Sequence, residues 1–170
     1  MAVGVFAVGI VAVLGLLSPV SRSVAAVADR DKAAQLGDAI QTELARLRDS
    51  QTATASLTKL DVFAALVPAG GTLNLVASRD GAHAIRESDA GNDTVTGSPP
   101  GIAKRDRYFL VVVSRQPSPL GDYTDGSGFL ALTLTVKWPY QIATGAGADD
   151  ATAADLTQAS VLILNTALSP

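Results

Sequence analysis

Residues 24–48 read VAAVADRDKAAQLGDAIQTELARLR, and the placing of their apolar residues decides the fold class. Leu36, Ile40, Leu44 and Leu47 recur at spacings of four, four and three, with Ala33 on the same side. That is the period of an α-helix, so these residues form one apolar stripe. Asp31, Lys32, Gln35, Asp38, Gln41, Thr42 and Arg48 take the other faces. Ala, Leu, Gln, Glu and Arg favour helix, and Gly37 is the weak point. The stripe predicts a helix whose stretch 33–48 covers a sheet.

Upstream of the stem, residues 2–17 read AVGVFAVGIVAVLGLL, without a charge. A bilayer core of about 30 Å takes about 20 apolar residues, so the run is a few residues short. One reading is a cleaved signal peptide: the length suits its apolar region, and Ala26-Val27-Ala28 has the small-x-small pattern of a cleavage site. Against it, no Lys or Arg precedes the run, and Arg22 follows it. A second reading is a buried helix, but a run apolar on every face is more than a small domain can bury. The third is a membrane helix whose first residues lie upstream, with Met1 an internal methionine. It explains the short run and the missing basic leader together, and the stem supports it. Ser18-Pro19 marks a kink or an end of this helix.

Downstream, residues 49–58 are polar and linker-like, and Leu60 to Val67 suits one or two helical turns. TLNLVAS (72–78), Arg79-Asp80-Gly81 and AHAIRE (82–87) predict a hairpin, since Asp-Gly favours the tight primed turns. Residues 88–106 are rich in Gly, Pro, Asp and Ser and read as a long loop. Tyr108 to Ser114 is a strand apolar on both faces, hence central. Residues 115–128 form another loop. Phe129 to Trp138 alternates, with Leu130, Leu132, Leu134, Val136 and Trp138 on one side and Thr133, Thr135 and Lys137 on the other. Residues 143–155 read as a small-residue acidic loop; Ser160 to Leu164 reads as the last strand because of its Val-Leu-Ile-Leu run, although ADLTQASVLILNTAL (154–168) could also be helical. Strands that follow one helix, with no long helices between them, imply an α+β fold with an antiparallel sheet. The expected divisions are residues 1–20 as the transmembrane part of the helix, 21–50 as its amphipathic stem, and 51–170 as the β domain.

Composition narrows the function. The chain is 48% hydrophobic but only 5% aromatic, and the first 17 residues are nearly all apolar; without them there remains a core for one sheet on one helix. The net charge is -3 and no Lys/Arg cluster occurs, so nucleic acid and a polybasic lipid-binding segment are not expected. The absence of cysteine excludes disulfides, zinc-thiolate sites and thiol catalysis.

The stretch AVGIVAVLGLLSPV (7–20), followed by AAQLGDAIQTEL (33–44), resembles the N-terminal helix of type IV pilins and type II secretion pseudopilins. Within them it is most similar to the Verru_Chthon cassette protein B family of Verrucomicrobia-type bacteria. LTLTVKWPY (132–140) resembles the Val-x-Trp-Pro strand end frequent in pilin-like proteins. The resemblance covers residues 2–48, and 107–140 more loosely; residues 88–106 and 141–158 match nothing in it. It implies a pilin-like long helix on a small antiparallel sheet. It also implies a structural subunit whose assembly needs no cofactor. A small enzyme is a further alternative, against which the near absence of catalytic residue types speaks. No metal is expected, a solvated turn being the plainer reading of the acidic loops. The subunit would be a single-pass inner-membrane protein with its C-terminal domain in the periplasm. Its partners would be other pilin-like subunits, the inner-membrane assembly platform and membrane lipid. Gly4, Ala7, Gly9, Ala12 and Gly15 would let helices approach closely. The family's peptidase site is a basic leader, a Gly, an apolar or aromatic residue and a Glu, and none of it stands in this sequence. Prepilin peptidase is therefore a partner if the true N-terminus lies upstream, which the in-frame DNA before the Met1 codon would reveal. The alternative is an exported periplasmic binding domain, cleaved after Ala28.

Few residues could carry chemistry. His83 is the lone histidine, and its place beside a turn makes it an exposed, inert residue. No Gly-x-Ser-x-Gly elbow, phosphate loop or dinucleotide fingerprint occurs. Asp122 and Asp125, with Ser127 nearby, could offer oxygen ligands to calcium, although a solvated turn is the plainer reading. Asp149, Asp150 and Asp155 have the same standing. Trp138 belongs with the core side of its strand. Asn92-Asp93-Thr94 fits a glycosylation sequon, of little meaning in a chain with this bacterial resemblance.

Overall fold

The computed structural model describes residues 2–90, 101–147 and 149–170, with side chains from Ser23 onward. Helix α1 (Ala2–Asp49) is continuous. Of the two expected effects of Pro19, an end of the helix is not seen: α1 runs on through it, although proline has no N–H to give the carbonyl one turn earlier. The division at residue 20 is therefore not a break in secondary structure. The predicted stripe is the buried one: Ala33, Leu36, Ile40, Leu44 and Leu47 are at most 5% exposed. Ser50 N and Oγ donate to the Arg46 and Leu47 carbonyls (2.9 and 2.7 Å), and Lys59 Nζ donates to the Asp49 carbonyl at 2.8 Å. These donors answer the carbonyls that a helix end leaves open, and Arg46 and Arg48 suit its negative pole.

Helix α2 (Lys59–Leu66) supplies the expected helical turns. Thr58 and Asp61 close its first turn as a capping box. At its other end Arg115 donates to the Val67 and Ala64 carbonyls at 2.6 and 2.8 Å.

One antiparallel sheet has the order β2-β1-β3-β4-β7. Its strands are β1 (Thr72–Ser78), β2 (Ala84–Arg86), β3 (Arg107–Arg115), β4 (Leu130–Trp138) and β7 (Ser160–Leu168). Strand β3 is central, as its double-sided apolarity required. Its Phe109, Val111 and Val113 join Leu73, Leu75 and the alternating leucines of β4 beneath α1 and α2. Leu110 faces the other way, with Val76, Ile85, Ala90 and Ile102 in a smaller cluster. Helix on sheet makes the fold α+β.

Three expectations need correction. The hairpin turn is not a two-residue primed turn. Pairing ends at Ala77 with Ala84, and Ser78 N reaches the His83 carbonyl at 3.3 Å. Asp80 Oδ1 accepts from Ser78 Oγ (2.5 Å) and from Ala82 N (3.0 Å), while Gly81 takes φ +74°. The carboxylate therefore organises a longer connection, and only Gly takes that φ without strain. The stretch 143–155 is not all loop. Strands β5 (Gln141–Ala143) and β6 (Ala151–Ala153) pair there, helped by Ala154 N donating to the Tyr140 carbonyl at 2.9 Å. Lastly, β7 runs past Leu164 to Leu168, because β4 offers it a full ladder from Leu130 to Trp138.

Candidate functional site

The feature with most bearing on function is the attachment of α1 to the domain. From Ser23 to Ala28 every side chain of α1 is exposed, including Val24 at 64% and Val27 at 59%. Asp29 is the first residue tied to the sheet. Its Oδ2 accepts from Tyr108 Oη at 2.7 Å, and its Oδ1 lies 3.5 Å from Arg79 Nη2. The Arg79 guanidinium lies over the Tyr108 ring, 4.6 Å from its centroid. Burial, and then the Asp29 carboxylate, push the Tyr108 hydroxyl up to about 12. Asp29 lies on the helix, Arg79 on the hairpin connection and Tyr108 at the start of β3, so the three close one end of the sheet onto α1.

A second tie lies further along the helix. Glu43 is buried, and Arg46 donates to it twice, Nε to Oε2 at 2.7 Å and Nη2 to Oε1 at 2.8 Å. The Glu43 carboxylate raises the Arg46 guanidinium above its usual range. Glu43 Oε1 also accepts from the backbone N–H of Arg86, in edge strand β2, at 3.2 Å. At the other edge Gln41 Nε2 donates to Thr166 Oγ1 at 3.3 Å, and Arg48 donates to the Ser169 carbonyl. Helix α1 is thus pinned to both edges of the sheet it covers.

The loop that carries Asp122 and Asp125 is fastened by a third carboxylate. Asp61 Oδ1 accepts from Tyr123 Oη (2.6 Å) and Gly126 N (2.9 Å), and Oδ2 accepts from Thr58 N and Oγ1 (2.6 and 2.7 Å). These donors, Tyr123 first, hold Asp61 well below the usual carboxylate range. Burial, and then Asp61, push the Tyr123 hydroxyl up. Gly121 in the same loop is buried, and a Cβ on it would overlap the Gln116 carbonyl.

The residues singled out from the sequence are placed as follows. Gly4, Ala7, Gly9, Ala12 and Gly15 fall where only the helical backbone is described. Asn92, Asp93 and Thr94 lie outside the described residues. Asp122 accepts from Ser118 Oγ at 2.8 Å, Asp125 is exposed, and Ser127 bonds to Thr124. Asp150 accepts from Gly147 N (2.7 Å), and Asp155 from Thr157 N and Oγ1 (3.0 and 2.7 Å); Asp149 is exposed. The structure does not assemble these carboxylates: among the described residues no three acidic or histidine groups gather as a metal would require. Trp138 is 6% exposed, with its ring 5.9 Å from that of Phe109, which is a core position. His83 is exposed on the rim of an open cleft of about 940 Å³ that Arg79, Tyr108, Arg105 and Gln141 also line.

The ties themselves went unread in the sequence. Asp29, Arg79 and Tyr108, or Asp61, Tyr123 and Gly126, are far apart in the chain and follow no local pattern. Thr58-Lys59-Leu60-Asp61 is the exception, since its spacing is that of a capping box. No protein-family model, no curated protein and no solved structure matches this chain.

Proposed function

We propose that this chain is a pilin-like structural subunit, anchored in the inner membrane with its β domain in the periplasm. It assembles through α1 into a type II secretion or type IV pilus-like apparatus. The observation that carries the reading is the division of labour along one helix. The charge-free run 2–17 leads without a break into an exposed apolar stretch, Val24 to Ala28, and then into the stripe that the sheet buries. A helix built in this way holds a subunit in lipid and then packs against the helices of its neighbours, while the domain rides on the stem. Among the residues whose side chains are described, no helix is long and apolar enough to cross a membrane; residues 2–17 are not among them. Cysteines placed at Gly9 and Val13 test the proposal in cells that express the whole assembly. Disulfide-linked oligomers are the expected result, and monomers alone overturn it.

A second reading draws on the attachment described above. Since α1 first meets the domain at Asp29, cleavage after Ala28 would leave every described tie in place. The chain would then be an exported periplasmic binding domain. N-terminal sequencing of the exported protein separates the two readings, because a start at Asp29 belongs to this one alone.

A further inference from the structure

The open cleft lies where the β1–β2 connection, the short turn Lys104–Asp106 and strand β5 meet. Its volume of about 940 Å³ falls in the range of ligand clefts, about 300–1,000 Å³. Three kinds of group converge on it. The first is a buried acceptor. Gln141 is 8% exposed and stands in the cleft wall, and among the described residues its Oε1 has no donor. Native folds seldom leave a buried acceptor unpaired, because the hydration it gives up is not replaced.

The second kind is cationic. Arg79 Nη2 is 3.5 Å from Asp29 and Arg105 Nε is 3.6 Å from Asp106, whereas a close charge-assisted bond measures about 2.7–2.9 Å. Arg105 gives one N–H to the Ala146 carbonyl, and the Tyr108 ring under Arg79 steadies its guanidinium. Asp80, in the same wall, is occupied by Ser78 Oγ and Ala82 N. Each guanidinium therefore keeps N–H groups to give. The third kind is apolar. Ile102, Pro139 and Ala143 line the cleft, and Ile142 beside them is 53% exposed. An inorganic anion would leave Gln141 and Ile142 without a partner, and a neutral apolar ligand would leave the arginines without one. The last residue of a peptide has all three complements: a backbone N–H, a carboxylate one carbon away, and a side chain between them.

We propose that the cleft binds the carboxyl end of an apolar peptide. The carboxylate lies between Arg79 and Arg105, a backbone N–H of the peptide donates to Gln141 Oε1, and the last side chain rests on Ile142. Oε1 is closed to solvent, so the Gln141 amide turns toward the peptide as it enters. The cleft belongs to the domain, and its binding rests neither on membrane anchoring nor on assembly through α1.

Calorimetric titration of acetyl-Ala-Ala-Leu into the full-length chain, held in neutral detergent micelles, tests the proposal. The peptide acid should bind one to one. Its C-terminal amide, which lacks the anion, should bind about tenfold more weakly. Arg105→Gln should weaken the acid by about tenfold and leave the amide unchanged. Gln141→Leu separates binding from a structural role. It removes a buried acceptor without a donor, so the melting temperature should hold or rise, while affinity for the acid falls by about tenfold. No heat with the acid at millimolar concentration, equal affinity for acid and amide, or affinity unchanged by either substitution overturns the proposal.

Discussion

The docking of α1 through a stripe, and not along its whole length, makes a quantitative prediction. Leu36, Ile40 and Leu44 are at most 1% exposed, whereas Val24 and Val27 are 64% and 59% exposed on the same helix. Truncating Leu44 to Ala removes three methylene equivalents from the core, about 2.4 kcal/mol at roughly 0.8 kcal/mol each. The cavity adds to this, because the core cluster that Leu44 shares with fully buried residues such as Leu132 and Phe63 can only partly collapse into it. The expected loss is about 3–4 kcal/mol, within the range found for Leu→Ala in cores. Val27→Ala should cost at most about 0.5 kcal/mol, as surface substitutions do. Urea unfolding followed by the fluorescence of Trp138, the single tryptophan and itself in the core, measures both. Equal losses for the two variants, or a loss below about 1 kcal/mol for Leu44→Ala, would refute the docking of the stem by its stripe.

Three other outcomes follow from particular positions. Gly37→Ala should stabilise by about 0.5–1 kcal/mol, because a Cβ there meets nothing within 4 Å and helix interiors favour Ala over Gly; a drop in the urea midpoint would contradict the open surroundings of Gly37. Gly121→Ala should cost about 3 kcal/mol or more, since the obstacle is the Gln116 backbone and not a side chain that can turn aside; an unchanged thermal melt would show that the loop does not close on itself. The depressed Asp61 carboxyl stabilises the fold above the ordinary carboxylate range, and that contribution is lost as pH falls below about 4. An Asp61→Asn variant should therefore show a shallower acid-side decline in melting temperature than the parent, and parallel curves would remove Asp61 from that role.

Much of the fold was legible because it rests on periodicity. The stripe of α1, the alternation of β4 and the double-sided β3 are patterns of burial, and burial is what apolar side chains report. The misread elements are held by main-chain bonds among residues with little side-chain signal. Strand β6 is Ala151-Thr152-Ala153, and only its pairing with β5 makes it a strand. The second half of β7 contains Asn165 and Thr166, which look like a strand's end, yet the ladder to β4 carries it on. Asp80-Gly81 marks where the hairpin turns but not how long the turn is, since the carboxylate of Asp80 closes a wider loop.

The ties on α1 were illegible for a deeper reason, which also explains why they are needed. Burial is non-directional, and a stripe at i, i+4, i+8 is nearly its own image after a slip of four residues, about 6 Å along the axis. Moved by that step, Leu36 would stand where Ile40 stood, and Ile40 where Leu44 stood, with little apolar area lost. Hydrophobic contact alone therefore leaves the register of the stem weakly defined. Directional bonds remove the degeneracy. A slip would part Asp29 from Tyr108, with the two oxygens now 2.7 Å apart, and Glu43 from the Arg86 N–H, now 3.2 Å away. It would also take from the buried Glu43 carboxylate the Arg86 N–H, the partner that does not move with the helix as Arg46 does, a larger cost than a misplaced methyl group. The stripe supplies the bulk of the attachment energy and the carboxylates select one position along it. A sequence displays the first as a repeat, whereas the second consists of single residues whose partners only the fold reveals.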